Sequence, residues 1–180
     1  MRTSVVAGFV AMILVGAGRA DEAPKAPQPT KEHEWLKQLE GEWATEAESA
    51  AVPGMPAMKL KGTESVKGLG GFWSVSESKV DYMGTPVNAV MTLGYDTQKK
   101  KFVGTWLCSM CDSLCTYEGT LAGNTLTLDT EGPNPATGKV SKMRDVIEVK
   151  DKDHKVLTSW MPGPDGKWVQ FMTIKFTRKK

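Results

Sequence analysis

The residues after Gly41 predict an all-β fold, a single up-and-down antiparallel β-barrel of about ten strands, and three observations carry that expectation. Turn-forming clusters recur at short spacing: Asp96-Thr97-Gln98, Gly123-Asn124, Pro133-Asn134-Pro135, Asp151-Lys152-Asp153 and Pro164-Asp165-Gly166. Between them lie runs rich in Val, Thr, Trp and Phe, residues that suit a pleated, half-buried surface. The last run alternates with period two, placing Trp168, Gln170, Met172, Ile174, Phe176 and Arg178 on one face and Val169, Thr173, Lys175 and Thr177 on the other. A meander of that length has to curl, and closing it removes the exposed edges.

Residues 1–20 read as a cleavable export signal, with Arg2 at the start, an apolar run from Val5 to Val15, and the small residues Gly18 and Ala20 before the expected cut. The run is about half the length a membrane-spanning helix needs. No Cys stands at the cut, the first being Cys108, so neither a membrane anchor nor a lipid anchor is expected and the protein should be periplasmic or secreted. Residues 21–30 (DEAPKAPQPT) form a Pro-rich linker with too little apolar bulk to bury itself. In Lys31–Leu39, Trp35, Leu36 and Leu39 share a helical face; Thr30 can cap the start, and Gly41 stops the element. Two turns are marginal alone, so this face must dock on the barrel.

The domain spans 31–180, with strands expected at 41–49, 57–67, 71–82, 86–95, 101–108, 115–121, 125–131, 139–150, 155–161 and 167–178. Parity turns Met143, Asp145, Ile147 and Val149 inward from the eighth strand, and Phe102, Gly104, Trp106 and Cys108 inward from the fifth. Phe72, Ser74, Ser76, Ser78 and Tyr82 form a mixed aromatic and hydroxyl face on the third. Such a lining suits a small-molecule cavity or a filled core.

Charge excludes one class of partner. The chain carries a net +2, and losing residues 1–20 removes Arg2 and Arg19 but no acid, leaving 21 basic residues against 21 acidic ones. A neutral domain lacks the basic patch that supplies most nucleic-acid affinity. Lys99–Lys101 reads as a hairpin turn and Arg178–Lys180 as a frayed end.

A short helix followed by Gly41-Glu42-Trp43 resembles the opening of lipocalins and their calycin relatives. That resemblance implies a structural pair in which a basic residue of the last strand, here Arg178, lies across Trp43 and closes one end of the barrel. Longer phrases resemble a bacterial family known as domain of unknown function 1579. They are His33-Glu34-Trp35-Leu36, Leu39-Glu40-Gly41-Glu42-Trp43, Leu93-Gly94-Tyr95-Asp96, Phe102-Val103-Gly104-Thr105-Trp106 and Pro162-Gly163-Pro164-Asp165-Gly166-Lys167. This likeness implies the fold and no reaction. Leu107-Cys108-Ser109-Met110-Cys111 departs from it, where Asp and Ser positions are usual.

The leading expectation is an exported protein that binds a small, largely apolar molecule, without a cofactor. Phe72, Trp106, Tyr117, Met143 and Met172 would form the wall, Ser76 and Gln170 would orient the ligand, and Asp145 is the one carboxylate able to act on it or to pair with a nearby cation. Cys108, Cys111 and Cys115 offer an alternative, a thiol redox or soft-metal module. Cys108 and Cys115 flank a six-residue loop and, if directly opposed, come within disulfide range; the rival pairing is Cys108 with Cys111. A metal would need a further ligand, His33 or His154. The third expectation is an interaction barrel with a filled core. With two His and no nucleophile motif near either, no catalytic triad is legible.

Overall fold

The computed structural model describes residues 26–51, 56–134, 137–163 and 165–180. The expected export signal, residues 1–20, and the first half of the expected linker lie outside the described residues. Ten antiparallel strands form a closed barrel: β1 Gly41–Ser49, β2 Met58–Leu69, β3 Trp73–Tyr82, β4 Thr85–Asp96, β5 Lys101–Cys108, β6 Cys115–Ala122, β7 Thr125–Pro133, β8 Val140–Asp151, β9 His154–Pro162 and β10 Trp168–Arg178. Each strand pairs with its sequence neighbours, and β1 closes the ring against β10 with Trp43 opposite Arg178. Helix α1, Lys31–Leu36, runs into a 3-10 turn over Lys37–Leu39. Among the described residues no helix is long and apolar enough to cross a membrane.

Helix α1 starts where the sequence calls for it. The Thr30 backbone N–H donates to His33 Nδ1 at 2.9 Å, the reciprocal half of a capping box with His in the usual Glu position. The buried face of Trp35, Leu36 and Leu39 plugs one end of the barrel and joins a core of Trp43, Val66, Leu93, Phe102, Tyr117, Leu126, Leu128, Ile147, Val149 and Phe176. Four of these, Trp43, Phe102, Leu126 and Leu128, are no more than 1 % exposed.

The plugged end is closed by Trp43 and Arg178. The indole N–H of Trp43 donates to the Leu39 carbonyl at 2.9 Å, and the guanidinium of Arg178 lies 4.1 Å from the indole ring centre. Arg178 also donates from Nη1 to the Glu40 carbonyl at 2.6 Å and from Nε to the Lys152 carbonyl at 2.7 Å, tying the helix exit and the β8–β9 turn to β10. The backbone of Gly41 has φ +123°, and a Cβ there would collide with the guanidinium, so glycine is required on both counts.

Two departures from the expected parity have local causes. Gly70 and Gly71, both in the left-handed region at φ +63° and +76°, turn the chain before β3 begins, so Phe72 sits in the turn and not on the strand. In β10 the register against β9 shifts between Gln170 and Met172, and this bulge reverses the faces of the residues before it.

Candidate functional site

Inward positions change character along the barrel axis. At the plugged end they are dry: Trp43 on β1, Leu93 on β4, Val149 and Ile147 on β8, and Phe176 on β10 are all at most 6 % exposed. Further along the same faces, Thr45, Ala47 and Ser49, then Met91, Ala89 and Val87, then Asp145, Met143 and Ser141, then Ile174 and Met172 are only half-buried. The interior is therefore filled at the helix end and opens toward the other, where the β5–β6 loop and the β3–β4 hairpin form part of the rim. Beta strands β6, β7 and β9 remain buried deeper into this half, through Tyr117, Cys115, Thr130, Ser159 and Met161.

Where the filled helix end gives way to the open half lies a cavity of about 30 Å³, lined by Leu39, Leu93, Ile147 and Phe176 of the helix end, by Met91 and Leu157, and by the polar groups of Glu64, Lys155, Ser74 and Ser76. That volume suits about one water molecule. Lys155 Nζ donates to Glu64 Oε2 at 2.6 Å and stands 4.6 Å from the ring centres of both Trp43 and Phe176. Burial lowers the Lys155 pKa, while the Glu64 carboxylate works against that shift. This ion pair was not foreseen. On β9, Lys155, Leu157, Ser159 and Met161 alternate with Val156, Thr158 and Trp160, and the second set reads equally well as the inner face.

Above the cavity, Asp145 accepts hydrogen bonds from Tyr117 at 2.7 Å and from Ser159 at 2.6 Å, one on each carboxylate oxygen. Desolvation raises its pKa, and the two bonds oppose the rise. Burial, and then the Asp145 charge and hydrogen bond, push the Tyr117 hydroxyl well above its ordinary range. The sequence offered Asp145 a neighbouring Arg or Lys as partner; the structure gives it two hydroxyls, because Arg144 faces outward and pairs with Asp129 at 2.7 Å.

The other expected wall residues divide. Ser76 lines the cavity, Trp106 and Met172 face inward and are half-buried, and Met143 faces in near Cys115, as a Cβ on Gly132 would lie 3.2 Å from Cys115 Sγ and 3.7 Å from Met143 Sδ. Phe72 does not belong to the wall. Its ring packs edge-on against His33, with centroids 5.2 Å apart, at the plugged end. Gln170 does not either: the bulge turns it to the outer face, where it donates to the Thr173 hydroxyl at 2.7 Å and is exposed.

Cys108 and Cys115 are buried, Cys111 is exposed, and all three are free thiols. The direct opposition assumed for Cys108 and Cys115 does not hold, since Cys115 is paired with Trp106. Among the described residues no group of three or more His, Cys, Asp and Glu has metal-holding geometry. His33 is occupied by the helix cap, and the exposed His154 bonds Asp151 at 2.9 Å in the β8–β9 turn, so neither stands by the thiols.

This architecture, a closed ten-strand antiparallel barrel plugged by a short helix, defines a calycin-like barrel protein. A family described as protein of unknown function (DUF1579) matches residues 28–178, and the chain belongs to that family. Among solved structures it is similar to Rv2717c from M. tuberculosis, with 12% identity and a TM-score of 0.63 over 85% of this chain and 100% of that one. It is also similar to the S-type phycobiliprotein lyase CPES from Guillardia theta, with 13% identity and a TM-score of 0.56 over 86% of this chain and 99% of that one. At such identities the likeness is one of fold. Comparison with curated proteins found no match.

Proposed function

We propose that the open half of the barrel binds a small, largely apolar molecule, in a protein that residues 1–20 direct to the periplasm or the exterior. The observation that carries this reading is the gradient of exposure along the inward faces: Met91, Trp106, Ile174 and Met172 are half-buried although they point into a closed barrel. Apolar side chains left wet on a concave surface gain free energy when a ligand displaces that water. In this reading the cavity of about 30 Å³ forms the floor of the site. Asp145 and the Ser76 hydroxyl are the polar groups available to orient a ligand.

Titration with an apolar, environment-sensitive dye tests the reading, alongside native mass spectrometry of protein purified from its source. Trp106→Ala should weaken dye binding about tenfold, the scale of losing one aromatic contact, while Trp168→Ala on the outer face should leave it unchanged. Equal affinities across wild type and both variants would sink the cup as the binding site.

A further inference from the structure

The hairpin between β5 and β6 carries three thiols that the ligand site does not use. Because Cys115 is opposite Trp106 in the ladder, Cys108 and Cys115 are diagonal neighbours on the inner face. Diagonal Cα atoms stand about 7–8 Å apart, beyond the span that a disulfide usually bridges. Cys108 and Cys111 are differently placed. The Cys111 N–H donates to the Cys108 carbonyl at 3.1 Å, closing a four-residue turn. Such a turn holds its end Cα atoms within about 7 Å, compatible with an S–S bond.

We propose that Cys108 and Cys111 are a dithiol that closes to a disulfide by exchange with a small-molecule disulfide, leaving Cys115 as a buried third thiol. The exposed Cys111, as thiolate, attacks one sulfur of the incoming disulfide, forming a mixed disulfide and expelling one small thiolate. Cys108, as thiolate, then attacks Cys111 Sγ, forming the internal bond and expelling the second small thiolate. Two protein thiols are oxidised, one small disulfide is reduced to two thiols, and the two protons pass to the expelled thiolates. This site does not rest on the ligand reading.

The local chemistry favours the closed form. Although Cys111 is exposed as a residue, partial burial of its thiol first, then Cys108 and the nearby Cys115 and Asp112, push its pKa up to about 12. Strongly oxidising protein dithiols hold their reduced form open by stabilising a thiolate. A pair whose thiolate is disfavoured therefore reacts slowly and, once closed, resists reduction. The bond would pin the base of the loop Ser109–Leu114, whose Met110 and Leu114 stand exposed at the rim.

The experiment is oxidation of reduced, purified protein with glutathione disulfide, read by thiol titration, intact mass and peptide mapping. Free thiols should fall from three to one per chain, the mass should drop by two hydrogens, and mapping should join Cys108 to Cys111. Cys111→Ser, a change at an exposed site, should form no internal bridge. A Cys108–Cys115 link, persistence of three thiols, glutathione adducts without an internal bond, or an internal bond in Cys111→Ser would each overturn the proposal.

Discussion

The two ends of this barrel are made from the same ten strands yet solve different problems. At the helix end, the inward residues are mostly apolar, and the charged groups brought inside have fixed partners: Lys155 has Glu64, and Arg178 has the carbonyls of Glu40 and Lys152. At the other end, inward Met and Trp side chains are left half-wet, and the polar centre is a carboxylate held by two hydroxyls, with no cation beside it among the described residues. The difference teaches that closure of the sheet and filling of its interior are separate achievements. Stability should reside in the first end and recognition in the second, and substitutions can break that division.

Trp43→Ala should have the largest effect, costing about 3–5 kcal/mol, since it empties a fully buried aromatic site and removes the surface on which Arg178 and Lys155 rest. Urea unfolding measures it; a loss below about 1 kcal/mol would place the core elsewhere. Arg178→Ala comes next, at about 1–2 kcal/mol for a partly desolvated cation–π contact together with its carbonyl bonds. Here the informative comparison is with Arg178→Lys, which keeps the charge but loses the fork that reaches the carbonyls of Lys152, Glu40 and Gln38. If Lys restores full stability, the stapling role of the guanidinium is wrong.

Met172→Ala at the open end should cost less than about 1 kcal/mol, because a half-buried side chain gives up little contact on truncation. It should nevertheless weaken dye binding. A stability loss matching that of Trp43→Ala would show that the open half is packed core.

How much of this was legible in the sequence depends on how local the cause was. Strand number and the docking helix follow from turn chemistry and period two, readable along the chain, while the Trp43–Arg178 closure came from the resemblance that a short motif carries. Phe72 and Gln170 were misplaced because parity carries through only while the strand is regular, and two glycines in one case and a bulge in the other interrupt it. The cysteine register failed for a related reason: loop length alone does not set which residues oppose each other. The Glu64–Lys155 pair, 91 positions apart in sequence, depends on ring closure through β1 and β10, which brings β2 and β9 near each other. No short pattern announces it.

Asp145→Asn should give the smallest effect, a change of slope with pH. Desolvation raises the folded pKa of Asp145 above its ordinary value of 3.8, so the folded state holds this proton more tightly than the unfolded chain does. The stability it contributes is then fully present below the unfolded pKa and is lost as pH rises through the folded one. Asn is neutral throughout and lacks this dependence. The stability of Asp145→Asn minus that of wild type should therefore climb as pH rises through that window and level off above it. Taking the difference matters, because Glu32, Asp96, Glu118 and Asp151 have lowered pKa values and drive the total profile the opposite way. Asn can still accept from Tyr117 and donate to Ser159, so the bonds that hold the two hydroxyls need not be lost. Urea midpoints at a series of pH values decide it. A difference that stays constant with pH would mean that Asp145 is well solvated, and that the open half of the barrel is wetter at this depth than its Tyr117 and Ser159 contacts imply.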